Sequence, residues 1–444
     1  MSLPKGPQSP SLIQRIQFIL SPMSLMDACT KRYGDIFTLQ LNQPIVFVSN
    51  PQAIQQILTS DTKEFEAPSD WNTPFEPTLG KHSVITLSGE AHRRQRQLMM
   101  PSFHGDRMKT YGEVISKVTE EVINQLQIGQ PFSVRDAMQA ITLRVIMQAV
   151  FGLYEGPRAQ ELEKLLSIML DEGGRSPVRV VQLYFPILQK DFGPQSSWGK
   201  FLRRRSRVHQ LLNDEIQERR AKPDPSRTDV LSLLMEARDE AGQPMTDEEL
   251  RDELVTLLIA GHETTATALT WALYWIHKLP DIREKLLAEL DSLGGHLDTN
   301  SVFKLPYLNA VCCETLRIYP VGMLTFPRVA RTPVSLCGYE LEPGTVVLGS
   351  IYSTHQREDL YPQHNQFKPE RFLERQFSPY EFLPFGGGVR RCLGMAFAQF
   401  EMKVVLTKIL SSVDLRLIDN YDIRPKRRGL VTGPKRPIHM VIGV

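Results

Sequence analysis

Apolar residues recur at i, i+3, i+4 and i+7 spacing along most of this chain, and that period predicts a mainly α protein with small β-sheets. Helices are predicted over 90–99, 114–126, 137–151, 160–170, 199–220, 228–238, 247–279, 280–293, 307–318 and 393–410. Short apolar or alternating runs are few, and 36–40, 45–49, 334–336 and 345–348 read as strands. Polar, proline-containing stretches at 193–197 and 221–226 read as loops, and 239–246 as a turn before a helix. There is no internal repeat. The chemically suggestive motifs run from His92 to Gly394, so serving one cofactor would require them to converge, and residues 1–444 read as one domain.

Composition narrows the class. With 41% hydrophobic residues the 444-residue chain can bury a large core, and 52 Lys+Arg against 50 Asp+Glu is too balanced for a dedicated nucleic-acid binder. The five cysteines are scattered, and adjacent Cys312 and Cys313 are poorly suited to a disulfide with each other, so a reducing compartment is expected. Near the start, Gln14, Arg15 and Gln17 break the apolar run from Leu12 to Leu20, which argues against a signal peptide and for a cytoplasmic protein. One stretch, 254–276, has membrane length. It carries His262, Glu263 and several threonines, which are costly in lipid, so it is read as a helix inside the protein and no integral membrane segment is expected.

Three groups of residues carry candidate chemistry. Phe385-Gly386-Gly387-Gly388-Val389-Arg390-Arg391-Cys392-Leu393-Gly394 sets one thiol in a glycine-rich turn ahead of a helix. The glycines let backbone approach a flat ligand, while the helix start and Arg390 and Arg391 favour thiolate, the metal-binding form. A buried structural cysteine is the other reading. In the predicted helix 247–279, Ala260 and Gly261 leave a groove, and a threonine hydroxyl can bond back to a preceding carbonyl. His262-Glu263 could begin a zinc-protease H-E-x-x-H, but the fifth position is Ala266, so the second zinc ligand is missing. Glu314 and Arg317, three apart on one helix, can pair.

The pattern Phe385-x-x-Gly388-x-Arg390-x-Cys392-x-Gly394 resembles the haem-binding loop of the cytochrome P450 superfamily. The resemblance implies a triangular-prism fold with haem b between a long helix and the helix after the cysteine loop. It makes Cys392 the axial ligand, with Phe385, Gly386 and Gly394 in the loop around it. It assigns Ala260 and Gly261 to the oxygen-activating groove, with Thr264 as the alcohol and Glu263 as the acid that handle protons. Glu314, Arg317 and the Arg371 of Pro369-Glu370-Arg371-Phe372 resemble a buried structural network. His92, Arg96, Arg328 and Arg390 match donors to the haem propionates. The family often has Trp where His92 stands, and taken alone His92 reads as a solvated helix residue.

By the same resemblance the activity is monooxygenation of an apolar substrate by O2, one oxygen atom entering a C–H bond and the other leaving as water. Electrons would come from a ferredoxin or flavodoxin with its reductase, because little chain follows Cys392 and no G-x-G-x-x-G unit is present. Arg93, Arg94, Arg391 and Lys403 could form the basic docking face. Arg93 and Arg94 are expected to face outward. The substrate pocket is assigned to 71–75, 183–185, 254–260, 321–326 and 430–432, which leaves fatty acid, terpenoid and steroid open. The chain looks most like soluble, monomeric bacterial members, cyanobacterial ones among them. Two other functions stay open: a haem-thiolate peroxide isomerase or dehydratase, and a non-enzymatic haem sensor. Glu263-Thr264 would have no task in the sensor, and peroxide-rearranging members usually lack that pair.

Overall fold

The structure, a computed structural model, describes residues 3–443 apart from 61–62, 69–70, 104, 106, 176–181, 183–187, 294–298, 419–420 and 430. It is mainly helical with small sheets, as the apolar period predicts, and divides into two compact units. The first comprises 1–71, 306–392 and 422–436, the second 72–305, 393–421 and 437–444.

The first unit is built on a five-stranded sheet in the order Ile36–Gln40, Pro44–Val48, Val346–Gly349, Arg328–Ala330, Phe65–Glu66. Pro44–Val48 runs parallel to Val346–Gly349, with Ile45 opposite Val346, and the other pairings are antiparallel. Those two inner strands are almost wholly apolar because both sheet faces are covered. On one face Val46, Val48 and Val347 pack with Ile54, Ile57 and Leu58 of the helix Pro51–Thr59. That helix starts where Asn50 accepts the Ala53 N–H at 3.1 Å and Pro51 supplies a preset φ. On the other face Phe37 and Phe47 stack at 5.6 Å and pack with Phe18, Leu25 and Met26 of the helices Ser11–Leu20 and Pro22–Tyr33.

The second unit is organised by the 32-residue helix Asp247–Lys278. A capping box fixes its start, Thr246 accepting the Glu249 N–H while Glu249 accepts that of Thr246. Packing against it are Val134–Ala149 and Met395–Ser412, which explains how a helix can be apolar nearly all round without lipid. Among the described residues no helix is long and apolar enough to cross a membrane.

The predicted strands 36–40 and 334–336 are reproduced, and the long helices agree to within a few residues at most ends. Two differences bear on the site. The helix after the cysteine begins at Met395, not Leu393, with Gly394 as its N-cap residue. The apolar periodicity also missed Ser11–Leu20, Pro22–Tyr33 and Pro51–Thr59.

Candidate functional site

In the first unit the cysteine loop lies on the helix Pro51–Thr59. Gly388 has φ +63°, and a Cβ there would stand 2.3 Å from Leu58 O; at Gly387 it would meet Leu58 Cδ1 at 2.8 Å. Only glycine allows so close an approach with that backbone. A tight turn over Gly388–Arg390 follows, and the Cys392 N–H donates to Phe385 O at 2.9 Å, closing the loop. The Cys392 side chain is left exposed rather than packed inward, which removes the structural-cysteine reading. In the chain the helix Met395–Ser412 starts three residues after Cys392.

Two buried arginines converge on one short segment near this loop. The Arg390 guanidinium lies 5.9 Å from the Phe326 ring centroid, and Arg328, fully buried, donates to Phe326 O at 3.4 Å and Pro327 O at 3.2 Å. Paired guanidiniums form the donor set that carboxylates require.

Behind the loop stands the Glu314 network. Arg317 donates to both Glu314 oxygens at 2.6 and 2.8 Å, Arg371 donates to Oε1 at 3.2 Å, and the Lys368 N–H at 2.9 Å. Tyr361 lies beneath both guanidiniums, 5.1 and 6.0 Å from its ring centroid. His355 joins network to loop: its carbonyl accepts from Arg317 at 2.9 Å, and its Nε2 accepts the Leu383 N–H at 3.1 Å, two residues before Phe385. Burial pushes the His355 imidazole down to about 3, so it is neutral and can accept at Nε2. Sequence reasoning missed Tyr361 and His355, which no spacing rule links to Glu314.

In the second unit the long helix is buried along most of its length but opens at Ala260, which is exposed beside the partly exposed Gly261 and Thr264. Gly261 passes close to Val134–Ala149, since a Cβ there would lie 3.1 Å from Ile146 Cδ1. The Thr264 hydroxyl donates to Ala260 O at 2.6 Å. Glu263 is held from Val134–Ala149, accepting from Arg135 at one oxygen and from Gln139 at the other, 3.0 Å away. His262 turns to Thr142, with Nδ1 2.8 Å from its Oγ1, and burial pushes it down to about 3. Among the described residues no cluster of three or more His, Cys, Asp and Glu could hold a metal ion by itself.

His92 and Arg96 share the helix Gly89–Met99, and here one expectation fails: His92 is buried, not solvated. The basic docking face also shrinks. Arg94 is bound to Asp239 at 2.6 Å and Glu249 at 2.8 Å, and Lys403 is buried, whereas Arg93 and Arg391 are exposed. Three buried acids in this unit were not anticipated. Asp252 and Glu253 accept the His82 and Val84 N–H groups at 3.2 and 2.7 Å, and burial raises the Glu253 carboxyl. Glu401 is raised to about 8 by burial, which a hydrogen bond with Thr265 partly offsets. Of the expected substrate segments, 183–185 and 430 lie outside the described residues. Thr432 is spent on structure, its hydroxyl donating to Pro320 O at 2.6 Å.

Within the first unit a glycine cradle, an exposed thiol and two converging arginines fit a flat macrocycle bearing a soft metal and carboxylates. The notch at Ala260 in the second unit is an opening in an otherwise packed helix, also fit for a flat ligand.

Comparison with known proteins agrees. The family model for cytochrome P450 matches residues 4–441. Cytochrome P450 135B1 of Mycobacterium tuberculosis is 36% identical over 439 residues, covering 98% of this chain and 90% of that protein. Cytochrome P450 138 of the same species is 33% identical over 442 residues, covering 98% and 94%. Among solved structures, the retinoic acid-bound cyanobacterial CYP120A1 superposes with a TM-score of 0.85 at 27% identity, covering 99% of each chain. The cytochrome P450DA heme domain has a TM-score of 0.84 at 22% identity, a likeness of fold.

Proposed function

Because the chain belongs to the cytochrome P450 family, whose members are haem b-containing monooxygenases, we propose that Cys392 is the axial thiolate and that the enzyme hydroxylates an apolar, isoprenoid- or fatty-acid-like substrate. One observation carries the assignment: Cys392 is an exposed thiol at the end of a loop that Gly387 and Gly388 press against Leu58. Arg328, Arg390, His92 and Arg96 are the proposed propionate donors. Phe385, Gly386 and Gly394 shape the loop, and Ala260 and Gly261 leave space for dioxygen and substrate. When bound, haem supplies the reduction of dioxygen and transfer of one oxygen atom to a C–H bond.

The chain's own residues then hold and move protons. Thr264, beside the Ala260 opening, is the proposed hydroxyl relay, and Glu263 the acid that supplies it. The substrate class rests on apolar surroundings, with Val321 and Met323 buried in one assigned segment, and on the retinoic acid bound in the cyanobacterial neighbour. Electrons would come from a separate ferredoxin or flavodoxin, with exposed Arg93 and Arg391 as the remaining basic contacts of a cytoplasmic, single-domain enzyme. The test is Cys392→Ser. The parent should show the red-shifted absorption of a thiolate-ligated haem in its reduced carbon monoxide complex, and the variant should lose it; a variant that keeps the band refutes the ligand assignment.

A further inference from the structure

We propose that the outward face of the helix Ser11–Leu20, with the basic hairpin beside it, is a docking surface for an anionic lipid membrane. The helix is packed with its polarity inverted. Its inward residue is Gln14, fully buried, whose Nε2 donates to Pro7 O at 3.0 Å and Ser9 O at 2.7 Å while Oε1 accepts the Gln40 N–H at 2.8 Å. Phe18, one turn on, completes the inward side. Leu12, Ile13, Ile16 and Leu20 consequently face out, with exposures of 59%, 44%, 47% and 64%. Leu12, Ile16 and Leu20 are spaced four apart and so form one row.

Charge adjoins this row. The hairpin Pro425–Arg428 and Val431–Pro434 is fastened to the same helix through Arg427, whose guanidinium lies 5.1 Å from the Phe18 ring centroid and donates to Phe18 O at 2.9 Å. Residues 424–436 hold Arg424, Lys426, Arg427, Arg428, Lys435 and Arg436 and no acidic residue. Arg424, Lys426, Lys435 and Arg436 are exposed. The chain as a whole carries only +2, so this is a local concentration of positive charge.

Aliphatic side chains beside a basic hairpin match the headgroup region of an anionic bilayer, where an amphipathic helix lies in the plane with its apolar face sunk among the headgroups. A second copy of the chain is a poorer fit. Four half-exposed aliphatic side chains offer on the order of 400 Å², about half the ~800 Å² per partner of a standard protein interface, and like-charged hairpins would repel.

The purified haem-loaded protein is to be sedimented with vesicles of phosphatidylcholine alone or mixed with phosphatidylglycerol, at low and high salt. It should bind the mixed vesicles and release at high salt. Leu12→Glu and Ile16→Glu should each weaken partitioning about tenfold. The pair Lys426→Glu and Lys435→Glu should abolish the preference for phosphatidylglycerol. All four positions are exposed, so the far-ultraviolet circular dichroism and the reduced carbon monoxide spectrum should match the parent's. The proposal fails if no vesicle binds, if both compositions bind equally, if Leu12→Glu and Ile16→Glu bind like the parent, or if Ile16→Glu instead dissolves a dimer seen by light scattering.

Discussion

Arg317→Ala should be more damaging than Arg371→Ala, and both should act on folding and haem retention rather than on turnover. Arg317 donates to both oxygens of the fully buried Glu314 and also to His355 O and Gln366 O. Its removal leaves Glu314 with the longer Arg371 contact and the Lys368 N–H, and strips donors from two carbonyls. Breaking a buried ion pair costs ~3–5 kcal/mol, so Arg317→Ala belongs at the upper end, about 5 kcal/mol. Arg371→Ala leaves both Glu314 oxygens on Arg317 and belongs near 3 kcal/mol, roughly the lower end of that range. Against a typical stability of ~5–15 kcal/mol, the first loss removes a third or more of the total. Urea unfolding followed by circular dichroism gives the two values. The reduced carbon monoxide spectrum per mole of protein gives haem retention, which should fall in the same order because His355 connects the network to Leu383 and the loop. An Arg317→Ala protein of parental stability, fully haem-loaded and lacking only turnover, would refute the reasoning. So would a reversed order.

Gly388→Ala should lose haem and lower the melting temperature far more than Gly386→Ala: both have positive φ, but only the Gly388 Cβ meets backbone, so equal effects would contradict the cradle. Thr264→Ala should keep substrate binding and reductant consumption while hydrogen peroxide rises and product falls, by ~10²–10⁴-fold in the step served; coupled turnover at the parental rate would remove Thr264 from the mechanism. The lowered pKa of His355 means it favours folding above its unfolded value of ~6.5, and that contribution is lost as pH falls toward about 3. Urea unfolding at pH 7 and pH 5 should therefore show a stability loss about 2 kcal/mol smaller in His355→Phe than in the parent, at ~1.4 kcal/mol per pH unit below ~6.5; an unchanged difference would mean that His355 is not held neutral.

The parts legible in the sequence were those in which one residue type has few alternatives. A glycine run before a cysteine restricts the backbone by itself, and Glu314 with Arg317 is visible because helical geometry brings i and i+3 together. The helix Ser11–Leu20 was hidden because periodicity assumes that apolar residues point inward, whereas here Gln14 does. The strand Arg328–Ala330 is three residues long and owes its existence to neighbours remote in sequence, so no local pattern announces it. His92 misled for a related reason: its helix is strongly polar, and only tertiary packing decides which turn is covered. Arg135 lies two residues before the predicted helix 137–151 that holds Gln139, so its place four residues from Gln139 on one helix emerged only in the structure, and nothing in the sequence pairs that helix with Glu263.

That pairing constrains the proposed proton relay. Both Glu263 oxygens accept from side chains of one helix, and Arg135 is additionally fixed by its donation to Thr267 at 3.3 Å. Each oxygen keeps a further lone pair, so the carboxylate is held in place by Arg135 and Gln139 but is not closed to a proton. Thr264 is committed as well, since its hydroxyl hydrogen is given to Ala260 O, leaving only its lone pairs facing other groups. As it stands Thr264 can accept a hydrogen bond but cannot donate one. Delivery requires one change, the hydroxyl leaving Ala260 O, and the described side chains at rest do not supply it. In the proposed mechanism the resting arrangement withholds protons from the Ala260 opening, and filling that opening is what would make the exchange of partners favourable.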